Sequence, residues 1–429
     1  MNFQNTLEFA QELDENDELK DFRKQFLFPQ HSGKDAIYLC GNSLGLQPVT
    51  ATQYIKQELN NWKDHAVKAW HKTNDPWLSY HAQLTGILSG IVGAKQQEVT
   101  VMNSLTVNIH LLLVSFYQPN HKKYKILIEG GAFPSDQYAF ESQVKFHGFE
   151  PKDAIIEVYP REGEYTLRTE NILKSIDNNA DELALVLFSG VNYFTGQLFD
   201  ISAIAKAAHE AGIIVGFDLA HAAGNVPLQL HDWGVDFACW CSYKYMNSGP
   251  GGISGIFVHE RHFGNKKLDR FAGWWGYRED KRFLMAPGFE AEAGADGWQV
   301  STPPIILLAL HKAALNIFEQ AGGLQPLRAK SELLTAYLEF LILEINKNKG
   351  EELFKIITPA NQQERGCQLS IICKRNAKAI FNYLNDSGVI GDWREPNVIR
   401  LSPVPLYNSF RDVFETGRIL ADAFIKIGL

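Results

Sequence analysis

Two residues of this sequence have the types and settings for chemistry on a bound carbonyl compound. The apolar run IIVGFD ends in Asp218, and twenty-six residues later VDFACWCS runs into Lys244 just before the glycine-rich SGPGG. A carboxylate at the end of an apolar strand is half out of water, which is costly unless a cation or strong donors meet it. A lysine held between an apolar strand and a tight loop is poorly solvated, the setting that favours a neutral, nucleophilic amine. Taken singly, Asp218 could cap the next segment and Lys244 could snorkel to the surface. Taken together they are the two protein groups that pyridoxal 5'-phosphate requires, an acid for the ring nitrogen and an amine for the aldehyde.

Such a cofactor also needs an anion cradle, and a helix N-terminus supplies one through its free amides and its dipole. The segment MNSLTVNIHLLLVSF fits, with Asn103 or Ser104 as cap and the amides of Leu105 and Thr106, plus the Thr106 hydroxyl, at the anion. An ordinary capped core helix would read the same way. The strand-like YKILIE leads into GGAFPSDQYAF, where Phe133 could stack on a ring and Asp136 could reinforce the charge at its nitrogen or merely cap a helix. Ser189 follows LALVLF, and His221 lies three residues past Asp218.

These residues need elements to hold them. Short apolar runs, YKILIE (124–129), LALVLF (183–188), IIVGFD (213–218), VDFACW (235–240) and GIFVHE (255–260), read as strands buried on both faces. Helix candidates lie between them, SDQYAFESQVKFHG with Ser135 or Asp136 as cap and ISAIAKAAHEAG closed by Gly212. The alternation predicts a largely parallel α/β sheet, whose ligands sit beyond the carboxyl ends of its strands. After Pro303-Pro304 the pattern turns to long amphipathic helices, then the strand-like KIITPA, CQLSIIC and NVIRLSPV. We read residues 1–40 as an arm and leading helix, 41–302 as the large domain and 303–429 as a smaller α+β domain.

Composition limits the alternatives. The 429 residues exceed what one core usually fills, about 250–300. Net charge is -8 and no Lys/Arg run stands out, which argues against nucleic acid as a partner and for a small molecule. The polar, acidic start and the lack of a long apolar run predict neither a signal peptide nor a membrane span, hence a cytoplasmic protein. Five cysteines make no disulfide framework. Cys239 and Cys241 could open a zinc site, but no second ligand pair follows; they alternate with Phe237 along one strand face, and no metal is expected.

Read together, the segments resemble the kynureninases, a branch of the fold-type I (aspartate aminotransferase-like) pyridoxal-phosphate enzymes. The matching stretches are GNSLGLQP (41–48), NSLTVNIH (103–110), FPSD (133–136), SGVNYFTGQ (189–197), the run from GFDLAHAAGN to SYKYMNSGPGG (216–252), GWWG (273–276), RGCQL (365–369) and RLSPVPLYNSF (400–410). The resemblance implies that Lys244 is the Schiff-base lysine and that Asp218 and Asp136 lie at the ring nitrogen beside His221. It places Leu105, Thr106 and Tyr243 at the phosphate, Phe133 on the ring, and Pro134, Ser135 and Ser189 in the same pocket. Across a homodimer interface, Trp274 and the residue before Pro-Pro would complete the phosphate site. That residue, an asparagine in the family, is Thr302 here, which keeps a hydroxyl and lacks the amide. Arg400 would clamp the substrate α-carboxylate, with His71 and Ser43 near the aromatic end.

The activity so implied is hydrolysis of L-kynurenine to anthranilate and L-alanine, and of 3-hydroxykynurenine to 3-hydroxyanthranilate and alanine, in tryptophan catabolism with a feed to pyridine nucleotide synthesis. Lys244 would move the α-proton, and Tyr243 would donate or relay a proton at the γ-carbonyl. Two other readings compete. A cysteine desulfurase-like lyase would need a mobile nucleophilic cysteine on a loop. A non-catalytic scaffold would lack the lysine, the acid or the arginine, and all three are present. A nicotinamide enzyme would need a glycine-rich turn opening a helix, and SGPGG opens none.

Overall fold

The computed structural model describes residues 2–427. Helix α1 (Leu7–Glu15) starts at Thr6, whose hydroxyl accepts from the Phe9 N–H. The chain then builds a seven-stranded sheet from β1 (Val99–Val101), β2 (Lys125–Glu129), β3 (Ile155–Val158), β4 (Leu183–Ser189), β5 (Ile214–Asp218), β6 (Phe237–Trp240) and β7 (Gly255–Val258). Their order across the sheet is β1-β7-β6-β5-β4-β2-β3. The five strands from β6 to β3 pair in parallel, as the alternating pattern predicts. Strand β7 runs against both its neighbours, so the whole sheet is mixed. The reason lies in residues 241–254, which fold back as a loop; without a crossover helix, a returning chain pairs antiparallel.

The continuous apolar runs follow from what covers the sheet. Val186, Phe188, Val215, Phe217, Ala238 and Trp240 point into one core, while Leu185, Leu187, Phe237 and Cys239 point into another on the opposite face. With both faces buried, period-two alternation separates two apolar layers rather than apolar from polar. Helices α2 (Leu105–Phe116) and α3 (Pro134–Phe146) cover the second face, and α4 (Ile201–Glu210) covers the first. Helix α5 (Ile305–Gln320) joins that first core through Leu308, Ala309 and Leu315.

A second sheet, wholly antiparallel, has the order β8-β9-β11-β10, with β8 (Phe354–Ile356), β9 (Leu369–Cys373), β10 (Asp392–Arg394) and β11 (Val398–Leu401). Helices α6 (Leu324–Lys349), α7 (Ala377–Asp386) and α8 (Phe410–Ile427) close its core, together with Ala10 of α1 and Leu39. Among the described residues no helix is long and apolar enough to cross a membrane. All five cysteines are free.

One helix start differs from expectation and a second meets it in position only. Neither Ser135 nor Asp136 caps α3: Phe133 holds the cap position and Pro134 opens the helix, its fixed φ already helical and its missing N–H no loss there. At α2 the cap position belongs to Ser104, which makes no side-chain cap bond, whereas Asn103 precedes it with φ of 50°. The Asn103 amide is used instead on Asn108 Oδ1, at 3.1 Å.

Candidate active site

Adjacent strands β2, β4 and β5 end in Glu129, Ser189 and Asp218, and Asp218 lies level with Ser189 on one side and Cys239 on the other. These ends open into a cavity of about 170 Å³. Of the residues expected at the cofactor, Leu105, Thr106, Phe133, Ser135, Asp136, Ser189, Asp218, His221, Tyr243 and Lys244 all line it. Pro134 sits exposed at the first turn of α3 and only steers its neighbours.

The lysine reaches the cavity from the loop between β6 and β7. Its Nζ lies 3.1 Å from Nε2 of His221, whose other ring nitrogen, Nδ1, is buried with no partner. Burial, with the Lys244 charge beside it, pushes His221 well below its ordinary range and keeps the ring neutral. The loop is held from outside by the GNSLG stretch, where the Gly45 N–H donates to the Tyr243 carbonyl at 2.8 Å. A Cβ on Gly45 would come within 2.3 Å of the Lys244 carbonyl, so only glycine allows this approach.

Three carboxylates crowd the strand ends. Asp218 is buried and accepts from the Ala220 N–H at 2.8 Å; burial raises its pKa, while a hydrogen bond from Asp136 and the Lys244 charge pull it back. Asp136 is raised well above the carboxylate range, by burial first and then by the Asp218 charge, so it keeps its proton and donates it to Asp218. Its Oδ1 is buried and unpaired. Glu129 accepts from the Ser189 N–H at 3.1 Å and from the Ser189 hydroxyl, and burial pushes it up to about 7.

At the opposite wall, α2 begins with uncapped amides, and the hydroxyls of Thr106 and Ser135 meet each other at 2.7 Å with no other partner. Open amides, two hydroxyls and the positive end of a helix form an anion site. An aromatic nitrogen base carrying an aldehyde and a phosphate matches this donor set: a carboxylate for the nitrogen, an amine for the aldehyde, a helix start for the phosphate, and orphaned Nδ1 and Oδ1 atoms along the ring. Tyr243 is half-buried, and burial together with Cys241 raises its pKa, so its phenol stays protonated.

Arg400 lies on β11 next to this cavity. It is 1% exposed, NH1 donates to the Tyr193 carbonyl at 2.6 Å, NH2 pairs with Asp392, and Nε has no partner. Ser43 joins the group, its hydroxyl donating to Asp392 at 2.5 Å. The remaining expected residues are not gathered here. His71, Trp274 and Thr302 are exposed and none lines the cavity. Instead His71 and Trp274 flank Phe283, with ring centres 6.3 and 5.6 Å from it.

Sequence reading passed over Glu129, Tyr193 and Asp392. Glu129 could have been found, because YKILIE ends in a carboxylate just as IIVGFD does. Tyr193 lies inside the SGVNYFTGQ stretch but contributes a backbone carbonyl, which its residue type does not announce, and Asp392 sits in a three-residue strand with no motif around it. Cys239 and Cys241 are buried, and burial pushes both thiols up, so neither is the exposed nucleophile of a desulfurase.

Comparison with known proteins bears on the same question. A family model described as the kynureninase C-terminal domain matches residues 327–420. A kynureninase of Flavobacterium psychrophilum is 56% identical over 427 residues, covering 99% of this chain and 100% of that protein. One from Nematostella vectensis is 48% identical, covering 98% and 94%. Among solved structures, an apo cysteine desulfurase from Thermococcus onnurineus superposes with a TM-score of 0.72 at 16% identity, covering 92% of this chain and 95% of that one. The cystine C-S lyase C-DES in complex with cysteine persulfide reaches 0.76 at 17%, covering 90% and 97%. Those two likenesses show the fold, the fold-type I architecture expected from the sequence. The near full-length identities show more: the chain belongs to the kynureninase family.

Proposed function

We propose that this enzyme holds pyridoxal 5'-phosphate in the cavity around Lys244 and hydrolyses L-kynurenine to anthranilate and L-alanine. The observation that carries the reading is the convergence on one small cavity of an amine (Lys244), a buried acid pair (Asp218 and Asp136) and an uncapped helix start (Leu105, Thr106). Bound there, the cofactor would supply an electron sink for the Cα and Cβ bonds of an amino acid. Lys244 would anchor it and move the α-proton of the substrate. Asp218 would hold a proton at its nitrogen, with Asp136, itself protonated, fixing Asp218. Phe133 would pack against it, and Leu105, Thr106, Ser135 and Tyr243 would hold its phosphate.

Water adds at the substrate γ-carbonyl, the Cβ–Cγ bond breaks with its electron pair kept by Cβ, the aryl acid leaves, and Cβ takes up a proton to become the methyl group of alanine. Tyr243, kept protonated by burial, donates or relays a proton at that carbonyl. Arg400 clamps the α-carboxylate. The ring-hydroxylated substrate, 3-hydroxykynurenine, follows the same course. The enzyme serves tryptophan catabolism in the cytoplasm and can feed pyridine nucleotide synthesis.

The same reading makes the enzyme a homodimer with composite sites. Phe271, Trp274, Phe283, Leu284, Met285 and Phe289 all point outward within one stretch, Leu284 at 71% exposure and Met285 at 69%. Such a run of exposed apolar side chains supports an interface here. Trp274, Thr302 and His71 are then residues lent to the partner's cavity.

The test is spectroscopic. Wild-type protein loaded with pyridoxal phosphate acquires a visible band, and anthranilate fluorescence grows when kynurenine is added; in a separate sample borohydride bleaches the band and leaves the cofactor covalently fixed to Lys244. Lys244→Ala loses the covalent link and all turnover. A band without anthranilate removes the substrate assignment; no band removes the cofactor assignment too.

A further inference from the structure

Asp392 stands on β10 directly across from Arg400 on β11, and one of its oxygens, Oδ2, serves three donors, one on its own strand, one on the paired strand and one from the distant GNSLG loop. These are the Ser43 hydroxyl at 2.5 Å, Arg394 NH2 at 3.1 Å, and Arg400 NH2. The β10–β11 ladder would form with any residue at this position, so the backbone does not demand an acid. Burial of Arg400 does demand a partner, because an unpaired interior guanidinium is costly. A single opposing carboxylate would meet that need, yet here two arginines share one. The cluster thus carries one positive charge beyond balance, with the buried Nε of Arg400 still unpaired.

We propose that Asp392 is a positioning residue for substrate recognition: it locks Arg400 and Ser43 in one geometry and leaves room for the charge of a single carboxylate. The inference rests on the assignment of Arg400 to the substrate α-carboxylate. Arg400 is held from two sides, by the Tyr193 carbonyl and by Asp392, which prevents rotation of the fork when the ligand arrives. Ser43 is held through the same oxygen, and its loop is stapled to the lysine loop at Gly45. Asp392 therefore ties the site that reads the carboxylate to the loop that carries the amine.

The experiment uses the cofactor-loaded enzyme, with L-kynurenine as substrate and its decarboxylated amine as a competitive ligand. Asp392→Ala is expected to raise KM for kynurenine by roughly tenfold or more, the scale of a lost charged hydrogen bond. kcat changes far less, and the affinity for the amine, which lacks the carboxylate and keeps only the Ser43 side of the site, falls far less than that for kynurenine. Asp392→Asn keeps an acceptor for Ser43 and lies between wild type and alanine, which gives a readout if the alanine variant does not fold. Equal losses for kynurenine and for the amine would make Asp392 merely structural and overturn the proposal, as would an unchanged or lowered KM. Arg400→Gln separates the two layers of argument. If it fails to discriminate kynurenine from the amine, the clamp assignment falls and this inference with it; if it discriminates and the Asp392 variants do not, only this inference falls.

Discussion

Two charge clusters of opposite kind stand side by side, one in the cavity and one next to it. At the strand ends three acids, Glu129, Asp136 and Asp218, face one lysine, and the excess is absorbed by protons: Asp136 keeps its own, and Glu129 keeps its own up to about 7. At the junction with the small sheet two arginines face Asp392, and there the excess cannot be absorbed, because guanidinium does not release its proton at ordinary pH. An acid-rich cluster adjusts its charge to what is bound; an arginine-rich one keeps its charge and waits for an anion. The first suits a ring whose protonation must be managed, and the second suits a carboxylate that must be chosen.

That contrast breaks most visibly at Asp218. Asp218→Asn removes the carboxylate best placed to ionise, and kcat is expected to fall by about a thousandfold, the scale of losing a preorganised electrostatic contact. KM moves little, because the arginine end is untouched. A large rise in KM with kcat preserved would mean that the two ends do not divide the work in this way.

Glu129→Gln probes the adjustable charge. Folded Glu129 keeps its proton up to about 7, against an ordinary 4.5, so between those values the folded chain holds more protons than the unfolded one. Stability of the cofactor-free enzyme therefore falls as pH rises through that window, by on the order of 3 kcal/mol in total from this group. The glutamine variant should lack that slope in urea unfolding between pH 5 and 8; an unchanged slope would remove Glu129 as the source. Smallest is Arg394→Ala, which cancels the surplus charge while leaving Arg400 and Asp392 paired. KM for kynurenine should rise a few-fold, more at low salt than at high, since Arg394 is partly exposed.

Much of the acid-rich end was legible because strand-end chemistry writes itself into linear sequence. An apolar run that stops at Asp218 or Lys244 states both the element and the exit point. Glu129 obeys the same rule and was missed for want of a motif around it. The arginine end is built differently. Arg400 stood out through RLSPVPLYNSF, yet its partners are a backbone carbonyl at Tyr193 and an acid on β10, and no local pattern links them across the chain. The reversed β7 was hidden because a strand's direction depends on the loop before it, not on its own residues. Helix α8 went unread, although Val413, Leu420, Ala423 and Phe424 fall on one buried face. His71, Trp274 and Thr302 were assigned only by resemblance, and no contact within the cavity of this chain bears on them.

The reversal of β7 also governs motion. Both legs of the loop at 241–254 are anchored in the middle of the large sheet, and its turns are tied again by Gly45 and, through the Ser254 N–H, by the Asn103 carbonyl at 3.0 Å. The amides that make these ties, those of Gly45, Asn247, Ser248 and Ser254, exchange with solvent only when the ties open, so they should be among the slower-exchanging loop amides of the protein. The amine is thus carried on a fixed wall. Admission of a ligand must come from the other side, where the helix start at Leu105 and the outward-facing Phe133 border the cavity.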